Sequence, residues 1–393
     1  MKRICILLNG GIKYDQRVIK TIKSLSSKYE IDLFYINGEN DDSKLFESNV
    51  KLCNNQKKRN PNWFNKVLRN SLFFFEFNFF IKYVKKKNEK YDYIWCNDLP
   101  TLYPGYKLSK YYKCKLIYDS HEIFNETLNQ FFPIKQKLRH KLSLKFMQYS
   151  GRFMEKYLIK RIDEFVTVNS SLASYFKKHF NYKKQITVIY NYPNKVAERG
   201  TERENIRKKI GFSKNDFVLI FQGTLNQGRG LHILLKAIQK LEKSDIKLMI
   251  IGGGPLLQEI KDIVENRNLQ NKIKVLGKIH SQELYKFTNI ADCGINLLDE
   301  INLSKKFTTA TKMFEYFQAG IPIICSDIVE NKNIFKQFEA GILTRNEVIE
   351  LRENIIKMSK SSNIEKYKMN SLKASKEYYW ERQESILFKL FDD

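Results

Sequence analysis

The 393-residue chain has no CxxC pair: its six cysteines, at positions 5, 53, 96, 114, 293 and 325, are scattered, and its five histidines show no metal-ligand spacing. Such dispersal excludes a disulfide framework and a zinc site, and fits reduced thiols in a cytosolic protein. Long apolar runs are missing too. The longest greasy stretch, LFFFEFNFFI at 72–81, is broken by Glu76 and Asn78 and falls short of the ~20 residues a spanning helix needs. The opening MKRICILLNGG has too short an apolar run for a signal peptide and no small-residue cleavage site. No GxGxxG follows the first apolar run, which disfavours a dinucleotide cofactor. No RRM, KH or helix-turn-helix signature stands among the basic residues, which argues against nucleic acid. Acidic residues are scarce. Residues 1–195 hold 37 Lys and Arg against 17 Asp and Glu, a net charge of +20, and the rest of the chain adds only +6. A basic half points to an anionic partner such as an acidic lipid surface; a Lys-rich solvated surface is the plainer alternative.

What is there is alternation. RICILLN (3–9), IDLFYI (31–36), YIWCN (93–97), KLIYDS (115–120), FVTVN (165–169) and ITVIYN (186–191) read as buried strands separated by amphipathic stretches such as DQRVIKTIKSLSSKY. This is the pattern of a parallel α/β sheet. A polar segment, NKVAERGTERENIRKKIG (194–211), reads as a linker and short helix, after which the pattern restarts. FVLIFQG (217–223), IKLMIIGGG (246–254), IKVLGKI (273–279), CGINLL (293–298) and IPIICSD (321–327) form the second strand set, with AIQKLEK, LLQEIKDIVENRN and ELYKFTNIA as helices. Two Rossmann-like domains facing a cleft are expected, at 1–195 and 196–375, with ligands at the carboxyl ends of the strands. KASKEYYWERQESILFKLF at the end reads as one final amphipathic helix. Segments 57–90 and 135–161 interleave Lys and Arg with Phe, Trp and Met. Each reads as a helix with a cationic and an apolar side, suited either to a membrane interface or to an ordinary core-facing role.

Several polar positions bear on chemistry. Gly10 and Gly11 directly follow the first strand, where they let a backbone approach a phosphate and leave the next helix N-terminus to face an anion. In QGTLNQGRG (222–230), Arg229 stands between two glycines, and Gly223 and Thr224 lie in the same loop; a guanidinium there can clamp a diphosphate with two parallel bonds. GGGP at 252–255, with Gly253, reads as a tight turn into a helix starting at Pro255. VLGKI (275–279) brings Lys278 and Ile279 to a strand end, where exposed backbone could meet a nucleobase edge. FTTATK (307–312) is a loop feeding the helix KMFEYFQAG. Backbone N–H groups from Thr308, Thr309, Ala310 and Thr311 to Lys312 make an anion site, and Glu315, about one turn in, can accept from a ribose.

Taken together, these motifs resemble the family 4 glycosyltransferases, which have the GT-B fold. "EYFQAGIPII" matches the second half of that family's E-x7-E, small residue, Gly, Pro-Val/Ile element, with Glu315 as the ribose-binding Glu. The first Glu position is Phe307, a departure that bears on how the donor sugar hydroxyls are read; "ATKMFEY" is close to the P-N-K-x-x-E-Y form of other members. "GTLNQGRG" is similar to the family's G-R-L-x-x-x-K-G loop, with Thr224 for its Arg and Arg229 for its Lys. "YDQRVIK" (14–20) resembles a D-x-R-V segment, and "LIYDSHEIFNE" (116–126) a D-x-H-E strand end whose His, here His121, reaches the donor sugar. "YYWERQESIL" resembles the closing helix, which over 376–393 would cross back onto the first domain. The resemblance implies a retaining glycosyltransferase using a nucleotide-diphospho-sugar, with His121, Arg229, Lys312 and Glu315 catalytic. Asp15, Arg17, Asp98 and Glu122 would face a glycan or lipid-linked acceptor of surface polysaccharide synthesis. No metal or other cofactor is expected, since no DxD stands at a strand end and protein cations would carry the phosphate charge. The expected location is the cytoplasm, at the inner face of the membrane. Another GT-B activity, such as a nucleotide-sugar epimerase, and a non-catalytic sugar binder are the alternatives.

Overall fold

A computed structural model describes residues 1–55, 78–128, 138–196, 203–242, 245–299 and 303–392. The first part of segment 57–90, the opening residues of segment 135–161 and residues 197–202 of the expected linker lie outside the described residues. The chain divides into two compact units, Met1–Asn191 with Gln383–Asp393, and Tyr192–Arg382.

In the first unit, β1 (Arg3–Leu8), β2 (Glu30–Ile36), β3 (Val50–Asn55), β4 (Tyr93–Asn97), β5 (Lys115–Ser120), β6 (Glu164–Thr167) and β7 (Thr187–Val188) form a sheet in the order β3-β2-β1-β4-β5-β6-β7. Every pairing is parallel. β1, β4 and β5 are covered on both faces, which is why they read as unbroken apolar runs. β3 escapes the reading because its sequence, VKLCNN, alternates weakly: Val50 and Cys53 are buried and Lys51 is exposed at the sheet edge. The expected strand ITVIYN shrinks to two residues. Ile189 N–H still donates to Thr167, but Tyr190 N–H turns to the Gln383 side chain at 3.0 Å, so the chain leaves the sheet.

The second unit repeats the plan. Strands β8 (Phe217–Gln222), β9 (Ile246–Ile251), β10 (Ile273–Gly277), β11 (Cys293–Asn296), β12 (Ile323–Ser326) and β13 (Gly341–Thr344) lie in the order β10-β9-β8-β11-β12-β13, all parallel. In both sheets the strand order reverses beside the first strand, at β1/β4 and β8/β11, the place where such sheets take their ligands.

Two helix readings are corrected. The helix after GGGP starts at Leu257, because Pro255 and Leu256 are spent on a turn behind Gly254 at φ 144°. The single C-terminal helix is two, Ile364–Ser375 and Trp380–Lys389. Trp380 N–H donates to Pro193 at 2.8 Å instead of to a preceding turn. The last residues belong to the first unit: the Phe391 ring packs on Tyr29, Tyr93 and Trp95, and Glu384 accepts from Ser24 at 2.7 Å.

The long helix Leu138–Leu158 is seated on the first unit by Leu144, Met147 and Leu158 and by one carboxyl group. Glu155 is buried and accepts from Tyr118 Oη at 2.8 Å and Asn125 Nδ2 at 3.0 Å. Burial raises its pKa from 4.5 to about 7, against the pull of those two bonds. An acid held above its ordinary value favours the fold most at low pH, and that contribution fades as pH rises from about 4.5 to about 7. Glu155→Gln should therefore leave thermal stability nearly unchanged at pH 5 and raise it at pH 8. Equal melting shifts at both pH values would contradict this.

Candidate functional site

In the second unit the site is built around the Thr311–Ala319 helix. Gly320 ends it with φ 68°, its N–H on Phe317 and the Ile321 N–H on Tyr316, the usual left-handed stop before a Pro. Tyr316 seats the helix on the sheet. Its hydroxyl lies 3.2 and 3.3 Å from the carbonyls of Ile220 and Ile295, on the two strands of the switch point. Gly294 makes room for that ring, since a Cβ there would come within 2.3 Å of it.

This seating places two charged side chains. Lys312 is only 4% exposed; its amine sits 3.7 Å over the Phe221 ring and has no hydrogen-bond partner. Burial drives its pKa well below the lysine range, and the nearby Arg229 charge pushes the same way, with Glu315 opposing. Arg229 is held by Asn226 Oδ1 at 2.9 Å, and burial lowers its pKa as well. Glu315 is half-buried, as is Thr311 four residues before it, whereas the other seven residues of the helix are buried. Its Oε2 accepts from Gln222 Nε2, and Gln222 Oε1 accepts from Thr288 Oγ1 at 2.7 Å. The Thr288–Gln222–Glu315 chain was not read from the sequence. A polar residue closing the apolar run FVLIFQ was the available signal.

Around these residues Gly223 and Thr224 are exposed at the end of β8. Gly252, at φ 150°, approaches so closely that a Cβ would meet the Gly223 carbonyl oxygen at 1.8 Å, which fixes the β8 and β9 ends side by side. Gly253 borders the Lys278 stem; Lys278 is exposed and Ile279 half-buried, both beyond β10, which stops at Gly277. Thr308, Thr309 and Thr311 are half-buried, and Thr308 Oγ1 donates to Ser304 O. Ala310 is the N-cap and offers no side-chain acceptor to the helix's first N–H groups.

In the first unit the carboxyl ends of β4 and β5 bring Asp98, Asp119 and His121 together. Asp98 carries φ 59°, rare for a non-glycine residue. Its Oδ1 accepts from the His121 backbone N–H at 2.8 Å, and its Oδ2 lies 3.4 Å from His121 Nδ1. His121 Nε2 is 3.2 Å from Asp119 Oδ2. Burial would lower the imidazole's pKa, but the two carboxylates outweigh it and raise it to about 9. Burial raises Asp98 to about 6. Burial would also raise Asp119, but Arg17 and His121 hold it well below the carboxylate range.

Three of the residues expected to face an acceptor have partners within the first unit. Arg17 does not face a ligand: it is buried, and its guanidinium forks onto Asp119 at 2.8 and 3.0 Å. Asp15 caps the Gln16–Ser26 helix, accepting from Val18 N–H at 3.0 Å. That carboxylate occupies the helix N-terminus which Gly10 and Gly11 were expected to open, and a 3-10 turn at Ile12–Tyr14 separates the glycines from it. Glu122 accepts from Thr127 Oγ1 at 2.9 Å. Among the described residues no group of three His, Cys, Asp or Glu side chains could hold a metal ion.

Two family models match the chain. The model described as glycosyl transferases group 1 matches residues 202–376, and that described as Glycosyltransferase Family 4 matches residues 17–192. The chain belongs to the family 4 glycosyltransferases. An uncharacterized glycosyltransferase of Methanocaldococcus jannaschii is 24% identical over 260 residues, 65% of this chain and 62% of that protein. The chain matches less than two thirds of the length of its curated relatives. Further relatives are named as an O-antigen chain mannosyltransferase and an alpha-monoglucosyldiacylglycerol synthase. Among solved structures, Anabaena Alr3699/HepE in complex with UDP has a TM-score of 0.72 at 16% identity, covering 100% of this chain and 99% of that one. Sucrose-phosphate synthase from Thermosynechococcus elongatus has 0.73 at 14%, covering 100% and 98%. The glycosyltransferase's fold is thus GT-B, with two parallel-sheet Rossmann-like domains.

Proposed function

We propose that this glycosyltransferase moves a sugar from a nucleotide-diphospho-sugar to a glycan or lipid-linked acceptor, retaining the anomeric configuration, in surface polysaccharide synthesis. The observation that carries the reading is Lys312. A buried amine without a partner is costly, and this one stands in the first turn of a helix beside Arg229. A diphosphate supplies the oxygen that Lys312 lacks and a counter-charge for both it and Arg229. As the bond between sugar and diphosphate breaks, Lys312, Arg229 and the helix N-terminus stabilise the charge left on the diphosphate. Glu315, steadied by Gln222, accepts hydrogen bonds from the ribose hydroxyls. The acceptor falls to the first unit, whose strand ends carry the imidazolium of His121 between Asp98 and Asp119. Protein cations replace a metal in this scheme.

A thermal-shift panel of UDP-, GDP-, ADP- and CMP-sugars tests the reading. One class should raise the melting temperature and be consumed, and no response to any of them would end it. Activity should persist in EDTA; full loss restored by Mg²⁺ or Mn²⁺ would reassign the charge to a metal. Glu315→Gln keeps shape but weakens a charge-assisted pair of about 1.5–3 kcal/mol. Nucleotide affinity, by calorimetric titration, should fall about tenfold or more.

A further inference from the structure

The Leu138–Leu158 helix turns an apolar face away from its own unit. Of the eleven large apolar side chains exposed among the described residues, six stand here: Leu138, Leu142, Phe146, Tyr149, Phe153 and Tyr157. Tyr149 is 73% and Phe153 67% exposed. At about 100° per residue the six fall within an arc of about 100°. The residues that seat the helix, Leu144, Met147, Glu155 and Leu158, lie on roughly the opposite side. Exposed Lys141, Lys145, Arg152 and Lys156 run along one flank of the apolar arc, with Lys160 and Arg161 just past its end. The only acid in the helix, Glu155, is on the buried side.

A core-facing role is therefore closed to this face: the core takes the other one. Two occupants remain. A second copy of the chain would set one lysine-flanked stripe against another, with no acid on the helix surface to neutralise it. An anionic lipid leaflet matches both features at once, taking aromatic and leucine side chains between its headgroups and lysines against its phosphates. We propose that the exposed face of the Leu138–Leu158 helix is a docking surface for an anionic membrane, on which the enzyme lies peripherally. Among the described residues no helix is long and apolar enough to cross a membrane, and a helix of about 30 Å lying flat needs none. The proposal rests on the first unit alone and does not depend on the donor reading.

The test is co-sedimentation of the full chain with phosphatidylglycerol vesicles and with phosphatidylcholine vesicles. Wild type should pellet with the first and not the second, and binding should weaken but persist in high salt, because screening removes the ionic part and leaves the apolar one. Phe146→Ser/Tyr149→Ser/Phe153→Ser should lower binding at least tenfold and abolish the salt-resistant part. Lys141→Glu/Lys145→Glu/Lys156→Glu should abolish binding at low salt. All substituted side chains are exposed, so melting temperatures should stay near wild type, and a variant that keeps its melting temperature yet binds vesicles as wild type does would overturn the proposal. Failure of wild type to pellet with acidic vesicles at low salt would overturn it too. So would a wild-type dimer in light scattering that the triple serine variant converts to monomer, because the face would then belong to a second copy.

Discussion

Replacing Lys312 by Met should stabilise the empty protein while removing most of its affinity for nucleotide diphosphates. The two effects share one cause. In the empty site the Lys312 amine is buried with no hydrogen-bond partner, over the Phe221 ring and near Arg229. An unsatisfied buried polar group costs about 1–3 kcal/mol. Met has nearly the same length and no such group, so the variant should melt a few degrees higher. With a diphosphate present the balance reverses, because a charge-assisted bond worth about 1.5–3 kcal/mol is lost, a roughly 10- to 150-fold weakening. The pH dependence has a definite sign. Burial holds the free amine below the lysine range, so binding an anion takes up a proton, and affinity should fall as pH rises in wild type but not in Lys312→Met. Titration calorimetry in buffers of different ionisation enthalpy reads this directly. A variant that binds UDP as tightly as wild type, with no change in proton uptake, would remove Lys312 from the site.

Asp119→Asn should cost about 3–5 kcal/mol of stability, the usual penalty for breaking a buried ion pair on one side. The carboxylate is 1% exposed and holds both Arg17 and His121. Asn keeps the shape and leaves the Arg17 guanidinium buried without its counter-charge. His121 adds a pH signature. With its folded pKa raised to about 9 from 6.5, its contribution is complete below pH 6.5 and is lost as pH rises through about 9. Removing Asp119 should move that upper limit down, since Asp98 alone then supports the charge. Urea unfolding from pH 6 to 10 measures both effects. Arg17→Met/Asp119→Leu should recover much of the lost stability, because replacing the whole pair leaves no charge stranded. A single-variant cost under about 1 kcal/mol would mean that the pair does not anchor the first unit.

How far the site was legible follows from how local each feature is. Glu315 and Lys312 could be placed because a short signal carries them: a loop, a helix of known start, Gly320 and Pro322. Gln222 is not legible, because nothing near it in sequence says what its side chain meets; its partners Thr288 and Glu315 come from distant helices. The pairing of Arg17 is hidden for the same reason. In sequence it resembles a surface cation beside a loop, and its role appears only when Asp119, 102 residues away, is folded against it.

By itself the sequence determined that this chain makes two parallel α/β units and where most of their strands run, because strands buried on both faces must be written as apolar runs bounded by turns. It also determined that the Thr311–Ala319 helix carries an acid one turn inside an uncapped N-terminus, because both are properties of a few consecutive residues. Only the tertiary structure decided which charged groups are available. Burial and pairing are set by elements that sequence distance keeps apart, and these spend Arg17 and Asp15 on the fold, leave the Lys312 amine without a partner, and turn one aromatic helix face outward.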